Sequence, residues 1–133
     1  MLQRLNPKEV SAPFSRYSHA VSVPHGYRWL YVSGQVGADV NRKIAEGFEA
    51  QAELAFGNLI ACIRASGFDV PDLVKITVLL TRASDVAAYR RIRDRVLGSV
   101  EPASTLMIVA GLAAPELLFE VEGVAARAAE STS

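Results

Sequence analysis

The chain has 133 residues, half of them hydrophobic, with 14 basic and 14 acidic side chains and a formal net charge of zero. That length suits one domain, 1–133, whose core needs no staples. The balanced charge argues against nucleic acid or an anionic membrane as partner, and the single cysteine, Cys62, excludes an internal disulfide framework.

The first residues, Met1 to Asn6, hold no apolar run long enough for a signal peptide. No stretch approaches the roughly 20 apolar residues of a membrane span. The expectation is a soluble protein of a reducing compartment, the cytoplasm. Residues 20–23 and 29–33 read as two short strands, and Pro24-His25-Gly26 between them predicts a hairpin. Residues 48–66 predict a helix with Phe48, Ala52, Ala55, Leu59 and Ile63 on one stripe and Gly67 as its C-terminal cap. Residues 74–81 form a β-rich run, with Val74, Ile76, Val78 and Leu80 on one face. A second helix is predicted over 86–97, capped by Ser84 or Asp85 and closed by Gly98. Two more strands follow near 104–109 and 117–125, and the tail 128–133 reads as frayed.

This order predicts an α+β fold: a mixed sheet with two helices on one face. The other face is then uncovered. With half of the residues hydrophobic and a mean hydropathy of +0.20, the apolar fraction is slightly high for a small monomer, so that face is expected to meet another subunit.

Several residues offer chemistry. Tyr17 precedes the first strand of the expected hairpin and is either a hydrogen-bonding phenol or a packed ring. Ser33-Gly34-Gln35 ends a strand, where glycine permits close approach of a ligand or simply turns the chain. Phe119-Glu120-Val121-Glu122-Gly123 sets two carboxylates on one strand face, which suits proton transfer or merely a solvated surface. Arg90, Arg91, Arg93 and Arg95 crowd the second helix, but Asp94 interrupts them and no aromatic platform accompanies them. That cluster reads as a solvated face, and nucleic acid is not an expected partner. His19 and His25 lack the spacing of a metal site. No metal and no cofactor are expected.

Three segments carry a family resemblance: Tyr17-Ser18-His19-Ala20-Val21, Ser33-Gly34-Gln35 and Pro102-Ala103-Ser104-Thr105. They resemble the Rid family, also called YjgF or endoribonuclease L-PSP-like, over nearly the whole chain. The resemblance implies a chorismate-mutase-like fold and a homotrimer with three pockets between subunits. It implies a small-molecule ligand, with Glu120 positioning water and Tyr17 assisting. Ser33, Gly34, Arg90 and Ser104 would bind substrate, and Glu122 would serve an interface ion pair.

The chain departs from the family at one position. The best-known members read Pro-Ala-Arg-Ser, and that arginine grips the carboxylate of an imine or enamine. Here the matching residue is Ser104. Arg90, where deaminating relatives carry Asn, and Arg16, where relatives often carry Pro, are the candidate replacements. The family cysteine two residues beyond the arginine is Leu106. His19 stands where many relatives carry Gln. The implied function is hydrolysis of an imine or enamine other than the short 2-imino acids. The alternatives are a metabolite-binding trimer without turnover and, last, an RNA-acting protein.

Overall fold

The computed structural model describes residues 1–130, so the expected frayed tail at 131–133 lies outside the described residues. Four strands form the main sheet: β3 (Tyr27–Val36), β4 (Leu73–Leu80), β5 (Ala103–Ile108) and β6 (Phe119–Ala128), in the order β3-β6-β4-β5. β6 runs antiparallel to both its neighbours, whereas β4 and β5 are parallel. A parallel pair needs a crossover, and helix α2 (Val86–Leu97) supplies it. Helix α1 (Phe48–Ala65) packs on β3, β6 and α2. The result is the expected mixed α+β arrangement with two helices.

Period-two alternation sorts the sheet into two faces. Val74, expected on the core face, gives its place to Leu73, because the β4–β6 register is irregular between Leu73 and Lys75. Leu73, Ile76, Val78 and Leu80 of β4 are buried in the core, as are Phe119, Val121 and Ala125 of β6. They meet Ala52, Ala55, Phe56, Leu59 and Ile63 of α1. Phe119 is the hub of an aromatic cluster, with ring centroids 5.5 Å from Phe56, 5.8 Å from Phe48 and 5.9 Å from Tyr89 of α2. No helix among the described residues covers the opposite face. Trp29 and Tyr31 stack there at 6.5 Å, and Tyr31 is 76% exposed.

Both ends of α1 rest on glycine, and Gly67 fulfils its expected role. It adopts φ +82°, and the Phe68 N–H donates to the Ile63 carbonyl at 3.1 Å. This is the left-handed closure that glycine makes cheap.

Three expectations need correction. The hairpin does not form. β2 (Ala20–Ser22) pairs instead with β1 (Gln3–Leu5), a strand absent from the sequence reading. β3 gives its ladder to β6, which offers ten residues against the three of β2. Arg4 fastens the small ribbon by donating to the carbonyls of Glu101 (3.0 Å), Pro71 (3.1 Å) and Leu73 (3.1 Å). Neither Ser84 nor Asp85 caps α2 through its side chain. A single 3-10 turn, Ala83–Asp85, leads into the helix, and the Asp85 carboxylate accepts from Arg82 Nε at 2.8 Å. Finally, Ala128 is not frayed, because it pairs with Tyr27 in β6.

Gln51 is the polar exception within the α1 stripe, with 2% of its surface exposed. Its Nε2 donates to the carbonyls of Ala45 (3.0 Å) and Glu116 (2.9 Å), and its Oε1 accepts from the Leu118 N–H (2.8 Å). One side chain thus ties the entry of α1 to the loop before β6. Losing three buried hydrogen bonds at about 0.5–1.5 kcal/mol each, with their partners left unsatisfied, predicts that Gln51→Ala costs roughly 2–4 kcal/mol. Urea unfolding should show a lower midpoint with an unchanged slope. A loss below about 0.5 kcal/mol, the size of an ordinary surface change, would contradict this role.

Candidate functional site

The segment before β2 is held against the start of β5. The Ser18 N–H donates to the Pro102 carbonyl at 3.1 Å, and its hydroxyl to the Glu101 carbonyl at 2.6 Å. Ser18 and Ala103 form a parallel bridge. Tyr17 is thereby set beside Ser104. Ser104 pairs with Ile76, so it faces the helix layer, where α2 presents Tyr89 and Arg93. These elements enclose a cavity of about 150 Å³, lined by Tyr17, Tyr89, Arg90, Arg93, Ser104 and Leu106. Phe14, 81% exposed, stands at its mouth.

The guanidinium buried in this cavity is that of Arg93, only 2% exposed. Arg90 lines the cavity but is exposed, and Arg16 lies outside it with Nε 3.8 Å from Asp94 Oδ2. Arg93 donates to Asp94 Oδ1 from Nε at 3.3 Å and from Nη2 at 3.1 Å. The sequence reading placed Arg93 on a solvated face, and the structure corrects this. The missed signal was spacing: Arg93 is four residues beyond Tyr89, on the same helical stripe.

Tyr89 is also buried, and its hydroxyl has no hydrogen-bond partner among the described residues. Burial pushes its pKa up, against the opposing pull of the Arg93 charge and the nearby Ser104 hydroxyl. The Ser104 group is close enough to exert that pull, yet it completes no hydrogen bond to the phenol. Tyr89 therefore keeps its proton and remains a neutral donor. Tyr17 is less committed: its oxygen accepts a long bond of 3.4 Å from the Phe14 N–H.

Glu120, Ser33 and Gly34 lie elsewhere. Glu120 is half-buried and pairs with Leu79, on the helix-free face. Its carboxylate rests over Gly34, where a Cβ would come within 2.8 Å of Glu120 Cδ. The β3–β6 register slips between Val32 and Gln35, and Gly34 occupies this slip. Ser33 borders a hollow of about 470 Å³ on the same face, with Tyr31, Lys75, Thr77 and Glu122. β3 and β5 are opposite edges of the four-stranded sheet, three spacings or about 14 Å apart. The expected site residues thus fall into two groups on opposite faces. One holds Tyr17, Arg90 and Ser104; the other holds Ser33, Gly34 and Glu120.

The remaining candidates are structural. The His19 N–H donates to Asn6 Oδ1 at 2.9 Å, and its ring Nε2 donates to the Ser11 carbonyl at 2.5 Å. Arg91 lies 3.6 Å from Glu49, and Arg95 donates to Glu53 at 2.5 Å, so acidic residues of α1 answer the basic ones of α2. No helix among the described residues is long and apolar enough to cross a membrane.

Comparison with known proteins gives this geometry its context. The family model described as Endoribonuclease L-PSP matches residues 8–127. The 2-iminobutanoate/2-iminopropanoate deaminase of Rattus norvegicus is 30% identical over 131 residues, covering 97% of this chain and 93% of that protein. The human protein of the same name is 33% identical over 111 residues, covering 82% of this chain and 78% of its own. Among solved structures, a Rid-family protein of unknown function from Yersinia pestis superposes with a TM-score of 0.83 at 28% identity, covering 93% of this chain and 97% of that one. RidA from the Antarctic bacterium Psychrobacter gives a TM-score of 0.70 at 34% identity, covering 92% and 98%. With a match across almost its whole length and the fold to accompany it, the chain belongs to the Rid family.

Proposed function

We propose that this chain is a cytoplasmic Rid-type hydrolase of an imine or enamine metabolite, working in clefts between the subunits of a homotrimer. The observation that carries this reading is the split of the site residues between opposite sheet faces. One chain cannot bring them to one ligand. A second copy, its helix-free face turned to the first, joins the Glu120 group of one chain to the Tyr17 group of the next. The uncovered stack of Trp29 and Tyr31 supports such contact.

The chemistry follows from the groups. Glu120 holds a water molecule and draws off its proton as the oxygen adds to the C=N carbon. That proton passes to the nitrogen, and the tetrahedral adduct then expels ammonia as its hydroxyl gives up a second proton to the leaving nitrogen, leaving a carbonyl and Glu120 ionised as before. Imine and water enter, and ketone or aldehyde and ammonia leave. The Tyr17 hydroxyl assists by hydrogen bonding to the reacting group. Ser33 and Gly34 contribute polar contacts beside the carboxylate. A metabolite-binding trimer without turnover is the second reading, with the backbone around Gly34 as its main contact surface. The ion pairs along α2 leave little support for RNA.

In dilute solution, light scattering should give three times the chain mass of 14.3 kDa. A clean monomer would remove both the assembly and the shared cleft.

The unmodified protein should turn over 2-iminobutanoate poorly. Ser104 offers one neutral donor where the family's best-known members carry a guanidinium. Each lost charge-assisted hydrogen bond costs about 1.5–3 kcal/mol. That is roughly one to two decades of affinity per bond. On the best substrate of an imine panel, Glu120→Gln should abolish turnover, whereas Glu122→Gln should act on stability or assembly. Full turnover by Glu120→Gln would favour the binding-only reading, and 2-iminobutanoate turnover equal to that of the arginine-bearing enzymes would refute the substrate assignment.

A further inference from the structure

The cavity between α2 and β5 has a feature that hydrolysis at Glu120 does not require. A guanidinium and a phenol hydroxyl, both buried, converge on it with donors to spare. We propose that Arg93 and Tyr89 form an anion anchor that takes the carboxylate of a small organic acid. This deepens the hydrolase reading and rests on it for the identity of the ligand as an imine or enamine.

Among the described residues, the cavity lining carries Arg90 and Arg93 and no acidic side chain. Asp94 stands beside it, but its two oxygens are engaged with Arg93 and Arg16. The hydrogen bonds of Arg93 use Nε and Nη2, which leaves Nη1 for a ligand. A buried guanidinium with unused donors is costly unless an acceptor reaches it.

The phenol supplies an independent indication. Tyr89 is 3% exposed and its hydroxyl lacks a partner among the described residues. A buried polar atom without a partner is rare in native structures and calls for an explanation. The ring is locked by stacking on Phe56 at 6.3 Å and by its contact with Phe119, so the hydroxyl cannot swing elsewhere. Its raised pKa keeps it a donor near neutrality. Ser104 matters through its size. Its short side chain leaves the β5 wall open, so the cation enters from the helix.

An anchor made of one guanidinium nitrogen and one phenol differs from a free arginine fork. The fork accepts a planar carboxylate through two parallel bonds. Here half of it is already bound to Asp94, so the carboxylate is held by two donors from different side chains one helical turn apart. That geometry selects carboxylates but orients them differently, in keeping with weak turnover of the short 2-imino acids.

Calorimetric titration of the intact protein with propanoate, and with propanamide as its neutral isostere, tests the anchor. Propanoate should bind and propanamide should bind at least about tenfold more weakly, as charge-assisted bonds are about twice as strong as neutral ones. Arg93→Lys and Tyr89→Phe should each weaken propanoate by about tenfold, the effect of a single buried hydrogen bond. Tyr89→Phe removes an unpartnered hydroxyl, so its melting temperature should not fall, which separates lost binding from lost folding. Equal binding of acid and amide, or propanoate binding that ignores both substitutions, would overturn the proposal. If propanoate binds as stated and no imine is hydrolysed, the reaction falls and the anchor stands. If an imine is hydrolysed and propanoate ignores Arg93, the anchor falls alone.

Discussion

The alternation along β6 is the constraint from which the rest of the molecule follows. This strand is paired on both sides, with β3 and with β4. Its odd-numbered residues, Phe119, Val121, Gly123 and Ala125, feed the helix layer. Gly123 leaves room for Leu59 and Leu73, whose methyl carbons would lie 3.1 and 3.4 Å from a Cβ there. Its even-numbered residues, Glu120, Glu122 and Val124, face the uncovered side. A slip of one residue would exchange the two sets and drive both carboxylates into the core. The same strand therefore builds the core with one face and holds Glu120 on the other.

Phe119 links the two halves mechanically. It packs on Tyr89, and that contact fixes where α2 sits over β5. Tyr89 in turn fixes Arg93, one turn further along the helix. The placement of Tyr89 and Arg93 at the cavity is thus an outgrowth of core packing, set by buried aromatic rings rather than by loops. The exposed ion pairs on α1 and α2 add little by comparison. Pairs of that kind contribute about 0–1 kcal/mol each. Their effect is local: they pair Arg91 and Arg95 with acidic residues of α1, whereas Arg90 and Arg93 line the cavity.

The sequence was readable where period and partner were both local. Helices α1 and α2 and strand β4 emerged from stripe and alternation, and the Gly67 cap from its place after the last periodic residue. The hairpin failed because pairing depends on the competing strand, and β6 lies some 90 residues beyond β3. β1 has three residues and no pattern to detect. Gln51 and Arg93 were missed for a shared reason. Both are polar letters on a buried stripe, and composition alone sends them to solvent. Of the candidate site, the motif resemblance brought out Tyr17, Gly34, Ser104 and Glu120. It could not say that they divide between two faces, because strand order is a property of the sheet and not of any segment.

A mixture of two damaged chains tests the central claim of a cleft shared between copies. Arg93→Met lesions one half of the cleft and Glu120→Gln the other. Each protein alone should be inactive on the best imine substrate. In a closed ring of three, every cleft takes one half from each of two neighbours. Random co-assembly of equal amounts then restores about one cleft in four, and turnover should return to about one quarter of wild type. A co-assembled mixture no more active than its parents would place the whole site within one chain and contradict the account.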